Sequence, residues 1–485
     1  MPETEKLTSY SDVLRSLGRD DQVPDRPVVC IQGLGHVGSA MAAAVANAKD
    51  DAGQTLYNVI GVELDTPISM AKIDAINAGE LPVACTDQKF ADAIRVCHEA
   101  GNLVATPNPE AYALADVVVV DVPFDVADLH GEPHLPWGGF RAAIQTIGRH
   151  VSPGTLVLVE TTVPPGTCEK VVAPDLAACL KERGLPEDSV HLAHSYERVM
   201  PGPDYFESIV KFWRVFAGHT QAAGDKAEQF LESVLDTENF PMTRLQKTTA
   251  SETAKVLENS YRAVTIAFAE EWGRFSESVG IDLFEIVRAI RVRPTHSNMR
   301  QPGFGVGGYC LTKDPLMAKL AAKELFEIDG LDFPFCTQAV HYNHIMPIVS
   351  LDYVEKELGT LSGKKLLLLG VSYRSDVGDT RYSPSEEFVR AAQDRGASVD
   401  CHDPLVSHWH EMGLDLDPAI PASPKGYDAV VFGVNHAEYR DIDFAAWLAG
   451  ETPLVFDANC VLGDEQLAAA KAAGCTVRSI GRGDL

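Results

Sequence analysis

A cysteine in a glycine-rich segment is the residue of this sequence best suited to covalent chemistry. Cys310 lies between three glycines and a Lys-Asp pair, at Gly305, Gly307, Gly308, Lys313 and Asp314. The glycines are expected to leave backbone N–H groups open to an anion. A thiolate is a strong nucleophile towards an aldehyde. We therefore predict Cys310 as a nucleophile, although a lone cysteine is more often an inert core residue.

Lys255 and Asn259 are a second pair with chemical potential. They lie four residues apart in residues 248–279, which contain no proline and whose one interruption is Gly273. Residues four apart project from one face of a helix. Such a pair is usually a solvated helix face, so its function depends on what surrounds it.

Three glycines have the spacing of a dinucleotide-binding turn. Gly33, Gly35 and Gly38, with His36 and Val37 between them, follow an apolar run and precede an Ala-rich stretch. The first glycine permits a tight turn, the second lets the backbone approach a pyrophosphate, and the third lets the helix pack on the strand. The helix N-terminus attracts phosphate. The placement predicts a dinucleotide site here, since GxGxxG alone is weak evidence.

An acid after the second strand is expected to accept hydrogen bonds from the adenosine ribose. Glu63 and Asp65 are the candidates, and we prefer Glu63. A carboxylate at this place repels a 2′-phosphate, so NAD is favoured over NADP.

The elements that position these residues alternate between buried strands and helices. Apolar runs at residues 27–31, 57–65, 116–122 and 155–160 predict a parallel sheet with helical crossovers, and a second series lies at 364–370, 429–432 and 454–457. The fold class is predicted as α/β: two Rossmann-like parallel-sheet domains joined by a long central helix and a helical connector. The expected divisions are a weakly ordered lead-in (1–24), an NAD-binding domain (25–245), a central helical domain (246–350) and a second Rossmann-like domain (351–485).

Composition excludes several classes of partner. A formal charge of −28 disfavours nucleic acid and anionic membranes. No apolar run is long enough for a membrane span or a signal peptide. The ten cysteines are scattered without CxxC pairs, which indicates reduced thiols, no metal site and a cytoplasmic location.

Several further segments occur in an order typical of one family. They are ETTVPPGT (160–167), YERVMPG (196–202), ETAKVLEN (252–259), GVGGYCLTKD (305–314), GVSYRSDVGDTRYSP (370–384) and HDP (402–404). Together they resemble the UDP-glucose/GDP-mannose dehydrogenase family, from about residue 28 to residue 483. The resemblance implies NAD-dependent four-electron oxidation of a nucleotide sugar's C6 alcohol to a carboxylate, through a thioester on Cys310.

The resemblance also implies that residues 351–485 bind the UDP-sugar, and it implies roles for single residues. The catalytic set is Cys310, Lys255, Asn259, Asp314, Thr162 and Glu197. Beyond the glycine turn and its acid, cofactor contacts are implied for Val122, Pro123, Thr162, Lys313 and Arg381. Substrate contacts are implied for Glu197, Arg198, Val199, Lys255, Asn259, Phe304, Gly305, Gly307 and Arg374. A homodimer or higher homo-oligomer is expected through the apolar face with Val264, Ile266 and Phe268.

Departures from the family pattern bear on the cofactor and the sugar. Phe124 stands where a small polar cofactor contact is usual, which puts that part of the NAD site in doubt. Pro201 stands where glucose-oxidising members carry a second glutamate, which favours a UDP-N-acetylhexosamine (UDP-GlcNAc or UDP-ManNAc). The pair Lys313-Asp314 instead follows the glucose branch, so UDP-glucose is the second candidate and GDP-mannose the third. A two-electron hydroxyacid dehydrogenase and a non-catalytic nucleotide-sugar binder are the functional rivals.

Overall fold

The computed structural model describes residues 7–19, 23–199, 202 and 204–485. The chain divides into two compact units. The first unit comprises Met1–Leu257 and Met317–Leu331, and the second comprises Glu258–Leu316 and Asp332–Leu485. The three predicted domains and their boundaries remain a prediction.

The first unit is built on one large sheet. Its strands are β1 (Val28–Gln32), β2 (Asn58–Val62), β3 (Leu103–Thr106), β4 (Val117–Val120), β5 (Leu156–Val159), β6 (His191–Tyr196), β7 (Val215–Gly218) and β8 (Thr243–Arg244). They are ordered β3-β2-β1-β4-β5-β6-β7-β8 and are parallel except that β7 runs antiparallel to β6. The strand order reverses between β1 and β4, where ligands of doubly wound sheets bind.

Helices cover this sheet, which explains why its first five strands read as continuous apolar runs. They are α1 (Tyr10–Ser16), α2 (His36–Asn47), α3 (Pro67–Ala78), α4 (Gln88–Glu99), α5 (Trp137–His150), α6 (Ala173–Glu182), α7 (Tyr205–Val210) and α8 (Gln221–Val234), with a 3₁₀ turn at Pro109–Leu114 and a π-turn at Cys168–Val172.

The expectation of a weakly ordered lead-in is wrong for α1. Its Tyr10, Val13 and Leu14 are buried, and the Tyr10 hydroxyl donates to the carbonyl of Gly101 (3.0 Å). Apolar residues three to four apart give this short helix a face to bury.

The long helix α9 (Thr248–Val279) has the predicted bounds. Its residues 248–257 belong to the first unit and 258–279 to the second. Gly273 is tolerated inside it because a Cβ there would lie 3.1 Å from Pro302, so a small residue fits that contact.

The second unit carries a smaller parallel sheet. Its strands are β9 (Lys365–Leu369), β10 (Ser398–His402), β13 (Ala429–Phe432), β14 (Leu454–Asp457) and β15 (Val477–Ser479), ordered β10-β9-β13-β14-β15, beside a hairpin of β11 (His408–Trp409) and β12 (Leu414–Asp415). Its helices are α10 (Leu283–Arg291), α12 (Pro334–Leu358), α13 (Pro384–Asp394), α14 (Ala437–Arg440), α15 (Phe444–Leu448) and α16 (Asp464–Ala472), with a 3₁₀ turn at Pro294–His296. Helix α11 (Asp314–Glu324) begins in this unit, and its residues from Met317 onward belong to the first unit. The strand order reverses between β9 and β13, a second switch point.

The predicted fold class, two Rossmann-like sheets joined by a long central helix, is confirmed. In the part of the chain described above, no helix has both the length and the apolar composition needed to cross a bilayer.

Candidate active site

The glycine turn, residues 33–38, joins β1 to α2 at the first switch point. Gly33 has φ +93°, and a Cβ there would lie 2.7 Å from the carbonyl oxygen of Asp121. A Cβ on Gly38 would collide with the carbonyl of Gly33. Packing therefore requires glycine at 33 and 38.

Gly35 is different, because a Cβ there would meet no protein atom within 4 Å. It is the N-cap of α2, whose first two residues are His36 and Val37. The N-terminal N–H groups of a helix attract phosphate. Open space above Gly35 thus fits the pyrophosphate of NAD.

The end of β2 is bound to this turn. Glu63 accepts hydrogen bonds from the Leu34 N–H (2.8 Å), the Lys72 ammonium (3.2 Å) and the Ser69 hydroxyl (3.0 Å). Asp65 is exposed in the loop before α3. This geometry favours Glu63 over Asp65 beside the turn, and the ribose contact remains a prediction.

Phe124, which departs from the family pattern, lies in the segment after β4. Its side chain is buried and packs against Trp137 (5.0 Å between ring centroids) and Phe140 (5.4 Å) of α5. It therefore fills the interior of the first unit. The neighbouring Val122 and Pro123 are more exposed than Phe124.

Glu197 of the segment YERVMPG binds Lys255 in the first unit. The Lys255 ammonium donates to the Glu197 backbone carbonyl (2.8 Å) and its carboxylate (3.2 Å), and lies 5.4 Å from the Tyr196 ring centroid. The Val199 N–H donates to the other Glu197 oxygen (2.6 Å). Burial by itself would raise the pKa of Glu197, but the Lys255 charge and the Val199 N–H bring it below its usual value. Arg198 donates to the Tyr196 hydroxyl (3.2 Å).

Thr162 is half-buried in the loop after β5. That loop is bound by Glu252 of α9, a residue to which the sequence assigned no role. The Glu252 carboxylate accepts from the N–H groups of Gly166 (2.6 Å) and Cys168 (2.7 Å). Burial raises the pKa of Glu252 to about 7, against the two N–H groups that lower it. The sequence feature that could have pointed to Glu252 is its position in the segment ETAKVLEN (252–259).

In the second unit, Asp314 binds two of the other predicted polar residues, Asn259 and Lys313. One carboxylate oxygen accepts from the Asn259 amide (2.7 Å) and the other from the Lys313 ammonium (2.8 Å). The Asp314 N–H donates to the Cys310 carbonyl (3.0 Å) at the start of α11. Lys313 is buried with its ammonium 4.3 Å from the Tyr309 ring centroid. Its contact with the cofactor remains a prediction.

The glycines before Cys310 serve packing as well as access. A Cβ on Gly307 would lie 2.7 Å from the Tyr382 carbonyl, and one on Gly308 would lie 2.8 Å from the Tyr373 ring. The expectation that the Gly308 N–H is open to an anion is wrong, because it donates to the Arg381 carbonyl (3.1 Å). Phe304, a predicted substrate contact, lies in the core of the second unit against Phe388 (5.5 Å).

Cys310 itself is half-buried. Tyr373 and Arg381 both lie within electrostatic reach of Cys310. Burial, followed by the charge of Asp379, raises the pKa of Tyr373 to about 12. Partial exposure within electrostatic reach of an arginine is typical of a reactive thiol.

The second switch point carries Arg374 and the HDP motif. Arg374 is exposed in the loop after β9. Asp403 accepts from the N–H groups of Val371 (2.9 Å) and Ser372 (3.0 Å) and from His436 (3.1 Å). The buried His436 was missed because nothing near it in the sequence marks it. Asp403 was visible within HDP but carried no predicted role; it fixes the beginning of the Arg374 loop.

A glycine turn at the switch point of a doubly wound sheet, followed by a second α/β sheet, defines a dinucleotide-dependent enzyme. Family signatures agree with this class. The UDP-glucose/GDP-mannose dehydrogenase family matches with its NAD binding domain at residues 28–234, its central domain at 249–344 and its UDP binding domain at 367–464. The chain belongs to the UDP-glucose/GDP-mannose dehydrogenase family, and it is an NAD-dependent nucleotide-sugar dehydrogenase.

Similar proteins cover nearly the whole chain. A UDP-N-acetyl-D-mannosamine dehydrogenase of Methanocaldococcus jannaschii is 28% identical over 86% of this chain and 87% of its own. The solved UDP-D-ManNAc dehydrogenase of Pyrococcus horikoshii has a TM-score of 0.79 at 26% identity, covering 94% of this chain and 100% of that one. The NDP-N-acetyl-D-galactosaminuronic acid dehydrogenase of Methanosarcina mazei has a TM-score of 0.77 at 26% identity, covering 99% of both chains.

Proposed function

We propose that this enzyme oxidises the C6 alcohol of a UDP-N-acetylhexosamine to the carboxylate through a thioester on Cys310. The observation that carries the proposal is the anchoring of Cys310. The Cys310 carbonyl accepts a hydrogen bond from the N–H of Asp314, the first residue of α11. The Asp314 carboxylate in turn accepts hydrogen bonds from Asn259 and Lys313. The similar proteins are named as dehydrogenases of N-acetylhexosamine nucleotides, and these names support the proposed class of sugar.

Bound NAD⁺ supplies the hydride acceptor for both oxidations, with Gly35 and Glu63 among the residues that hold it. The Cys310 thiolate adds to the C6 aldehyde, giving a thiohemiacetal with one new C–S bond. Loss of hydride from that carbon leaves the thioester. Water then cleaves the C–S bond and yields the carboxylate and the free thiol, with Asp314 positioned to orient or deprotonate the water.

Lys255 and Asn259 are assigned to the oxyanions of these steps. Lys255 is cationic and is held by Glu197, and Asn259 follows it one turn later on α9. Fixed donors aimed at developing negative charge stabilise transition states strongly. Arg374 and Arg381 are assigned to anionic groups of the ligands, and Thr162 to water near the nicotinamide.

The substrate test is a panel of UDP-GlcNAc, UDP-ManNAc, UDP-glucose and GDP-mannose, followed by NADH absorbance and sugar analysis. We expect the highest kcat/KM with an N-acetylhexosamine and two NADH per sugar. One NADH per sugar would favour a two-electron dehydrogenase, and none would favour a binding protein. UDP-glucose stays the second candidate because Lys313-Asp314 follows that branch; Pro201, the residue against it, lies outside the described residues.

Cys310→Ala tests the thioester. Carboxylate formation should fall to background while UDP-sugar binding is kept. Cys336→Ala, at another half-buried thiol, is the matched control and should retain full activity. Undiminished carboxylate from Cys310→Ala would remove the sulfur from the mechanism.

Gly35→Ala tests the cofactor site. A methyl group there meets no protein atom within 4 Å, so the melting temperature should change little while the KM for NAD⁺ rises about tenfold or more. An unchanged KM would show that the glycine turn does not take part in NAD⁺ binding.

A homodimer is proposed through α9 of the second unit. Phe268, Trp272 and Phe275 form an edge-to-face aromatic row that is about half exposed, with centroids 6.3 and 5.7 Å apart. A large exposed apolar patch marks an interaction surface. Of the other residues expected at this interface, Val264 packs inside the unit against the cluster around Ala263 and Ala339. Trp272→Asp should shift the mass measured by light scattering from dimer to monomer, and an unchanged mass would exclude this surface.

A cytoplasmic location is proposed as well. All ten cysteines are free thiols, which is typical of a reducing compartment. Cell fractionation tests it.

A further inference from the structure

A group of five ionisable side chains at the carboxyl ends of β4, β5 and β6 has an uneven charge balance. Its three acids are Asp121, Glu160 and Glu197, and its two bases are Arg214 and Lys255. Lys255 pairs with Glu197 (3.2 Å), and Arg214 pairs with Glu160. Asp121 is left without an ion pair among the described residues.

Asp121 meets another acid instead. Asp121 and Glu160 directly follow Val120 and Val159, which pair in register across the parallel strands β4 and β5, and the nearby Glu160 charge raises the pKa of Asp121. Asp121 Oδ2 and Glu160 Oε2 are both sealed from solvent and have no hydrogen-bond partner among the described residues. Buried polar atoms are rarely left unpaired, and two adjacent carboxylates cannot both be ionised at low cost. A single proton shared by the two carboxyl groups provides both of these oxygens with a hydrogen-bond partner.

This pair adjoins the glycine turn. The Asp121 carbonyl oxygen would lie 2.7 Å from a Cβ on Gly33, and the Asp121 Cβ would lie 3.0 Å from one on Gly38. Whatever charge Asp121 carries is therefore felt by an anion bound at the turn. An ionised Asp121 would oppose a pyrophosphate, while a protonated one would not.

We propose that Asp121 and Glu160 share one proton, and that neutral Asp121 is a positioning residue that keeps negative charge away from the pyrophosphate of NAD⁺ at the glycine turn. Burial, and then the charge of Glu160, hold the pKa of Asp121 well above its ordinary value. The charge of Glu197 also raises the pKa of Asp121, whereas the charge of Arg214 lowers it. His194, whose pKa burial lowers to about 3, stays uncharged beside Lys255.

The proton is tested by infrared spectroscopy on the apo protein near neutral pH. The wild-type minus Asp121→Asn difference spectrum should contain the C=O band of a protonated carboxyl group. The asparagine amide can donate to Glu160 in its place, so Asp121→Asn should fold. Absence of that band would overturn the shared proton.

The effect on the cofactor is tested by NADH fluorescence titration at neutral and alkaline pH. Wild-type affinity should weaken about three- to tenfold at alkaline pH as Asp121 ionises. Asp121→Asn should bind within about twofold of wild type at neutral pH and lack the alkaline loss. Asp116→Asn, at the other end of β4, should behave like wild type.

Glu160→Gln extends the test. It removes Arg214's partner carboxylate, so Asp121 should ionise in its place. The neutral-pH affinity for NADH should then fall towards the alkaline wild-type value. Equal alkaline losses in wild type and Asp121→Asn would overturn the positioning role, because the charge change would then lie elsewhere.

Discussion

Each unit of this protein buries a lysine on a carboxylate beside a tyrosine ring, but the two arrangements differ in what else they hold. In the first unit Lys255 binds both the carboxylate and the backbone carbonyl of Glu197. In the second unit Lys313 binds Asp314, which also holds Asn259. Lys313 and Asp314 are almost completely buried, whereas Lys255 and Glu197 each retain some exposure.

This difference distinguishes the two lysines by their access to a bound ligand. A buried ion pair contributes little net stability, yet removing one partner is costly because the other charge stays buried. Lys313 neutralises Asp314 and fixes the start of α11. Lys255, with more access to solvent, is the lysine suited to meet a substrate.

Helix α9 gives each unit one buried glutamate that binds loop N–H groups. Glu252 receives two such hydrogen bonds, and Glu270 receives one, from Gly303 (3.0 Å), with its Oε2 unpaired. Burial raises the pKa of Glu252 to about 7 and that of Glu270 to about 8. The glutamate with fewer donors is the harder one to ionise.

Of the two lysines, Lys255 should have the larger effect on catalysis, which Lys255→Met tests because it keeps the apolar stem and removes the charge. The kcat should fall about a hundred- to thousandfold, because a fixed donor to the oxyanion is lost. Steady-state NADH production measures it, with the exposed Lys247→Met as control. A kcat within threefold of wild type would place Lys255 outside the chemistry.

Lys313→Met should act on stability. The free energy of unfolding should fall by about 3–5 kcal/mol, since Asp314 is left as an unpaired buried charge. Urea denaturation measures the loss. The double variant Lys313→Met/Asp314→Leu should recover part of the loss, and failure to recover any would mean that lost packing, not charge, is responsible.

The smallest expected effect is a pH dependence of stability. Because the pKa of Glu270 is higher in the folded than in the unfolded chain, its contribution is fully present below about pH 4.5 and is lost as pH rises through about 8. The contribution of Glu252 to stability is lost as pH rises through about 7. Melting temperatures across this range should therefore fall less steeply in Glu270→Gln than in wild type. Parallel curves would show that Glu270 does not titrate in this window.

Much of this molecule could be predicted from local pattern. Continuous apolar runs identified β1, β4, β5, β9, β13 and β14, and the unbroken stretch 248–279 identified α9. β6 escaped because His191-Leu-Ala-His-Ser-Tyr196 mixes polar residues into a buried strand. The short helix α1 escaped because its apolar face is only three residues.

By itself the sequence determined the residues that are neighbours along the chain: the glycine turn, the i, i+4 pair of Lys255 and Asn259, and the adjoining Lys313 and Asp314. Only the tertiary structure decided which partners these residues have. Glu197 meets Lys255, Glu160 meets Asp121 and Arg214, and Asp403 meets His436, all across tens of residues. The physical reason is that backbone geometry fixes short-range spacing, whereas burial and charge pairing depend on which strand ends the sheet brings together.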